Sequence, residues 1–112
     1  MDRFGALLQP FTIKNVTFKN RVMSTGHAPG YGKDGKPQEC YQLYHEEKAK
    51  GGLGLSIFGG STTVAVASPA NEYNQISAAD GSVVPFFQEF AERMYGHGAK
   101  LMIQLTHIGR KM

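Results

Sequence analysis

Gln104, Thr106, His107 and Arg110 gather at the far end of a segment, residues 99–106, that otherwise reads as a buried β-strand. Polar groups past a strand end are where α/β proteins carry chemistry, because loops vary there on a rigid scaffold. A carboxamide such as that of Gln104 donates and accepts hydrogen bonds at once. An imidazole such as that of His107 can move a proton or ligate a metal. Two earlier strands end in the same manner. Residues 21–25 run into Gly26 and His27, and residues 53–58 run into Gly59 and Gly60.

Glycines at strand ends permit close approach of a flat ligand to the main chain, and they also permit simple turns. Both readings stay open on pattern alone. Bare backbone from three neighbouring strands plus one amide suits a planar heterocycle with donors and acceptors on its edge, such as a flavin's pyrimidine ring. His27 and His107 offer another chemistry, a metal-dependent hydrolase site. Metal sites need three or four ligands, and no Asp or Glu stands at any of the three strand ends.

The string Gly30-Tyr-Gly32-Lys-Asp-Gly35 fits a dinucleotide fingerprint in spacing only. That fingerprint needs its first glycine at the strand end and its third inside the helix. Here the first glycine lies five residues past Thr25, and Lys36-Pro37 follows the third, so a flexible loop is expected. Cys40, within the first helix, reads as a buried structural thiol, and His45 and His97 read as surface or helix-capping residues.

The elements that must position these groups follow from periodicity. Residues 11–18 alternate about Lys14-Asn15, which predicts a hairpin with Asn15 tolerating positive φ. Residues 38–50 predict a helix, with Pro37 near its first turn, Lys48 and Lys50 in its last, and Gly51-Gly52 ending it. Residues 53–58 are apolar on both faces, as in a strand covered on both sides. Residues 61–81 read as one long loop. Val83, Phe86, Phe87, Phe90, Ala91 and Met94 recur at helical spacing, with Ser82 as N-cap, Gly98 as stop and Glu89–Arg93 as an exposed pair. The order hairpin, β, α, β, α, β implies a parallel α/β sheet. A doubly wound open sheet and a (β/α)8 TIM barrel both remain open. A barrel takes about 250 residues, so this chain would supply only the hairpin and the first three strands.

The 112 residues suffice for one small domain, with 41% apolar residues, a net charge of +3 and mean hydropathy of −0.30. The cations are scattered, so nucleic acid is not an expected partner. No run approaches the roughly 18 apolar residues of a membrane helix. The N-terminus lacks a signal-peptide pattern, and the single cysteine suits a reducing compartment, so a cytoplasmic protein is expected.

Lys19-Asn-Arg21, Gly51-Gly52 before an apolar strand, Leu8-Gln-Pro10, and above all Gln104-Leu-Thr-His-Ile-Gly-Arg110 resemble the Old Yellow Enzyme family. These are FMN-dependent NADH:flavin oxidoreductases built on a (β/α)8 barrel. Within it, residues 21–28 and 48–61 are most similar to the multidomain branch of trimethylamine dehydrogenase, 2,4-dienoyl-CoA reductase and the dimethylglycine or N-methylproline demethylases. The resemblance implies that residues 1–112 are the N-terminal portion of an FMN-binding barrel domain. It implies that Thr25, Gly26, His27 and Ala28 run along the flavin edge, that Gly59 approaches the ring, and that Gln104 pairs with its pyrimidine, with His107 a site neighbour. Ala28 stands where trimethylamine dehydrogenase has its flavin-bearing cysteine, so non-covalent FMN is implied. Gly60 stands near a substrate-cage tyrosine of that enzyme, which argues against trimethylamine as substrate. A 4Fe-4S cluster, a second nucleotide, NAD(P)H, a small-molecule substrate and a homo-oligomer are implied for the whole protein. Catalytic residues are expected beyond Met112, and the isolated chain is expected to be inactive.

Overall fold

The computed structural model describes residues 3–68 and 74–109. A short helix that periodicity did not suggest, α1 (Gly5–Leu8), leads into β1 (Phe11–Ile13) and β2 (Val16–Phe18). These two strands form the expected hairpin, with Thr12 opposite Thr17 and their hydroxyls 2.9 Å apart. In the turn it is Lys14, not Asn15, that takes the positive φ, +53°.

The next three residues lash the hairpin to the sheet and its helices. Lys19 Nζ donates to the carbonyl of His97 at 2.7 Å. Asn20 donates to Gly52 O at 2.7 Å and accepts the Val22 N–H at 3.0 Å. Arg21 lies with its guanidinium 4.9 Å from the Phe11 ring centre.

The sheet holds β3 (Met23–Ser24), β4 (Leu55–Thr63) and β5 (Lys100–Thr106), all parallel and in that spatial order. Its crossovers are α2 (Glu39–Lys50) and α3 (Val84–Tyr95), the latter entered through a 3-10 turn, Gly81–Val83. The cap of that turn is Asp80, whose carboxylate accepts the Ser82 N–H at 2.8 Å, rather than Ser82 itself. Gly52 (φ +110°) and Gly98 (φ +78°) follow the two helices in the left-handed conformation that stops them cheaply.

Both helices cover one face of the sheet. Tyr41 and Ala49 from α2, Phe90 and Met94 from α3, and Phe58 from β4 form one buried cluster with Ile76, Val83 and Ala99. Full burial of a side chain like Phe90 is worth about 1.5–3 kcal/mol. Phe86, Phe87 and Ala91 of the expected stripe are half-buried. Arg93 is not on an exposed face with Glu89 as expected. It turns to α2, bonding Gln42 Oε1 at 3.1 Å and Glu46 Oε1 at 3.2 Å, while His97 Nε2 meets Glu46 Oε2 at 2.8 Å.

The other sheet face differs from expectation. β5 reads as a buried strand, yet Met102 and Gln104 are exposed, because the hairpin reaches that side at its lower end and leaves Gln104 open. Near its lower end, Met23, Leu55 and Met102 meet Phe11, Ile13 and Phe18 of the hairpin around an apolar cavity of about 250 Å³. Cys40 is also exposed rather than buried, because α2 turns Tyr41, His45 and Ala49 inward instead.

Candidate functional site

The site begins where β4 departs from expectation. The strand does not end at Phe58 but continues through Gly59 and Gly60 to Thr63. Pairing with β5 runs in step to Phe58↔Ile103, then resumes at Thr62↔Leu105. The extra β4 residues form a bulge, and Gly59 (φ +100°) and Gly60 (φ +65°) take backbone angles that side chains rarely allow. The bulge brings the Gly60 carbonyl to β5, where Gln104 Nε2 donates to it at 2.9 Å.

Three strand ends close on one another here. A Cβ at Gly26 would collide with the Gln104 carboxamide, its Cδ only 3.1 Å away. A Cβ at Gly60 would lie 2.5 Å from His27 C and 2.7 Å from Ala28 N. A Cβ at Gly59 would meet Thr62 Oγ1 and lie 2.9 Å from Gln104 O. The space these glycines free is therefore taken by the protein's own neighbouring strand ends.

Behind the sheet, α2 holds the same ends. The Gly59 N–H donates to the Tyr41 hydroxyl at 3.0 Å, and burial pushes the Tyr41 phenol up to about 12. His27 Nδ1 lies 3.0 Å from Thr25 O and Nε2 lies 2.7 Å from Tyr44 OH. A carbonyl only accepts, so Nδ1 carries the proton, and in the neutral ring Nε2 accepts from Tyr44. Lys48 Nζ sits 4.7 Å from the Tyr44 ring centre and donates to Ser24 Oγ at 2.8 Å. Tyr31 packs edge-on to Tyr44 at 5.5 Å.

His45 is not at the surface as expected; it is fully buried beneath this group, with Nδ1 2.9 Å from Ser56 Oγ. Burial first, then the charge of Lys48 and the neighbouring His27, pull its pKa from 6.5 down to about 3. His97 does lie at the end of α3, half-buried against Glu46.

Gly26, His27, Ala28, Gly59 and Gln104 are thus brought together, and Thr25 joins them through its carbonyl. His107 is exposed beyond β5 and accepts the Gly109 N–H on Nδ1 at 2.9 Å. Arg110 lies outside the described residues. The glycine loop at 30–35 bonds across to residues 74–77: Ser77 N–H donates to Gly35 O at 2.8 Å and Asn74 Nδ2 to Gly30 O at 3.2 Å. The metal-hydrolase reading has no geometry behind it. Both ring nitrogens of His27 are committed, and no cluster of three His, Cys, Asp or Glu that could hold a metal occurs among the described residues. Sequence reasoning missed Tyr41 and Tyr44. The signal for Tyr41 was the spacing Tyr41, His45, Ala49, one stripe down α2, and Tyr44 lies beside it at i+3.

A family model described as NADH:flavin oxidoreductase / NADH oxidase family matches residues 6–112. A multifunctional alkene reductase/demethylase OYE of Caballeronia cordobensis is 55% identical over 105 residues, 94% of this chain and 15% of that protein. An N,N-dimethylglycine/sarcosine dehydrogenase of Chromohalobacter salexigens is 45% identical over 109 residues, 96% of this chain and 16% of that protein. The solved structure of a 2-naphthoyl-CoA reductase with 2-naphthoyl-CoA superposes with a TM-score of 0.85 at 23% identity, over 96% of this chain and 16% of that one. The shared fold is the (β/α)8 barrel, of which the hairpin and β3–β5 are the opening part. The chain spans 15% and 16% of the length of these two curated relatives, and 31% of NADPH dehydrogenases such as that of Bacillus velezensis.

Proposed function

The chain belongs to the NADH:flavin oxidoreductase / NADH oxidase family, and on that premise we propose that the protein is an FMN-dependent oxidoreductase moving a hydride between substrate and flavin. The observation that carries the reading is the Gln104 carboxamide, laid across the ends of three parallel strands and fixed by Gly60 O at 2.9 Å. FMN, when bound, supplies the hydride chemistry that no side chain provides.

The residues at hand fit its pyrimidine edge. One N–H of Gln104 is committed to Gly60, which sets the plane of the amide and leaves its second N–H to donate and its oxygen to accept. A donor held in place there stabilises negative charge without reorganising, an effect of the oxyanion-hole kind. Thr25, Gly26, His27 and Ala28 would flank the ring through main chain, and Gly59 would approach it from β4. Ala28 has no thiol, so attachment would be non-covalent.

Two substrate classes fit. One is a small N-methylated amine, oxidised to an iminium that hydrolyses to formaldehyde. The other is an activated alkene, reduced at the expense of NAD(P)H. The activities for which the relatives are named, alkene reductase, demethylase and dimethylglycine dehydrogenase, support both. The iron–sulfur cluster, second nucleotide and homo-oligomer belong to the same reading, and residues 1–112 alone would be inactive. A cytoplasmic setting is part of it. No helix among the described residues is long and apolar enough to cross a membrane.

Purification of the full-length protein tests this. It should be yellow, bleach under reductant, and release free FMN on denaturation. Colourless protein carrying stoichiometric zinc would overturn the reading in favour of the hydrolase.

A further inference from the structure

Helix α2 reaches the site from behind the sheet at two points one turn apart. We propose that Tyr41 and Tyr44 are positioning residues that set the cofactor edge, Tyr41 by holding the end of β4 at Gly59 and Tyr44 by holding the end of β3 at His27. The inference rests on the flavin reading and adds residues to it.

Tyr41 is 1% exposed, so it acts through what it holds rather than by touching a ligand. Its hydroxyl takes the Gly59 N–H at 3.0 Å, inside the bulge where Gly59 and Gly60 have positive φ. The carbonyl of the following residue, Gly60 O, anchors the Gln104 amide. Without the phenol, a buried N–H would lose its acceptor and the bulge its fixed point. Tyr44 bonds His27 Nε2 at 2.7 Å, and the His27–Ala28 peptide lies directly against Gly60. His45 couples the two phenols, its ring centre 5.4 Å from Tyr41 and 5.1 Å from Tyr44. Both strand ends therefore take their position from one helix face, at i and i+3.

The test uses the full-length holoprotein with Tyr41→Phe, Tyr44→Phe and, as a control, Arg93→Gln. Arg93 joins α2 to α3 without reaching the strand ends. Each tyrosine variant should weaken FMN binding roughly tenfold, the loss of about one hydrogen bond in a buried setting, and shift the visible flavin spectrum. Arg93→Gln should lower Tm and leave the spectrum unchanged. Two further readouts need no flavin: faster amide exchange at Gly59 in Tyr41→Phe, and a changed His27 imidazole 15N pattern in Tyr44→Phe. If Tyr41→Phe fails to fold, the half-buried Tyr44 carries the test. Wild-type affinity, spectrum and resonances in both tyrosine variants would overturn the inference and leave the flavin reading standing, and so would an Arg93→Gln spectrum shifted as much as theirs. Wild-type protein that binds no FMN would overturn both.

Discussion

The Gln104 carboxamide occupies the place where a Cβ on Gly26 would stand. These two residues come from strands that are not neighbours, since β4 lies between β3 and β5. The amide therefore spans the width of the sheet above β4, touching the Gly60 carbonyl on the way. A single side chain reports the spacing of all three strand ends, and a change at any of them moves it.

Gly26→Ala should displace the amide without unfolding the chain. Gly26 does not have a positive φ, and the group it meets is the flexible end of a side chain. FMN affinity should fall tenfold or more, by analogy with the cost of about 1–3 kcal/mol for a displaced hydrogen-bonding group. Fluorescence titration with FMN checks this, alongside far-UV circular dichroism to show that the fold persists.

Gly60→Ala should be worse in kind. The φ of +65° strains any side chain, and the new methyl would meet backbone at His27 and Ala28 rather than a movable group. Loss of Tm by several degrees, together with loss of flavin, is the expected result in a thermal melt.

Stability should depend on pH through two groups. His45 has a folded pKa of about 3 against 6.5 ordinarily, so its neutral, buried form favours folding fully above pH 6.5. That contribution is lost as pH falls from 6.5 toward 3, at no more than about 1.4 kcal/mol per pH unit. In the paired variant His45→Leu with Ser56→Ala this part of the dependence should vanish, as read from denaturant midpoints between pH 7 and pH 4.

Glu46 acts lower on the scale. Its hydrogen bond to His97, then Arg93, holds its carboxyl below the usual 4.5. Its contribution is present above that value and disappears as acid protonates the folded carboxylate. Glu46→Gln should lower Tm at neutral pH and converge on the wild type in strong acid.

The hairpin, α3 and the parallel order of the sheet were legible because their signals are periodic and apolar. The stripe from Val83 to Met94 turns one face to the sheet, with Val83, Phe90 and Met94 buried and Phe86, Phe87 and Ala91 half-buried. Helix α2 was legible as a helix but not in its facing. Its buried residues include Gln42 and His45, while Leu43 is 40% exposed, so polarity misreports which side meets the sheet. That is why Cys40 read as buried and His45 as exposed. The continuation of β4 past Phe58 was hidden because glycines read as breaks, whereas here they make the bulge that lets pairing resume. Gln104 was legible as a strand residue whose amide can both donate and accept. Its partners were not, because Gly26 and Gly60 meet it only after the crossovers bring distant segments side by side.

The central claim is that the Gln104 amide grips the flavin edge. The direct measurement is a titration of the full-length apoprotein and its Gln104→Leu variant with FMN, followed by quenching of flavin fluorescence. The account predicts weaker binding in the variant by roughly tenfold, as for loss of an oriented amide. Equal affinity in the two proteins would contradict it.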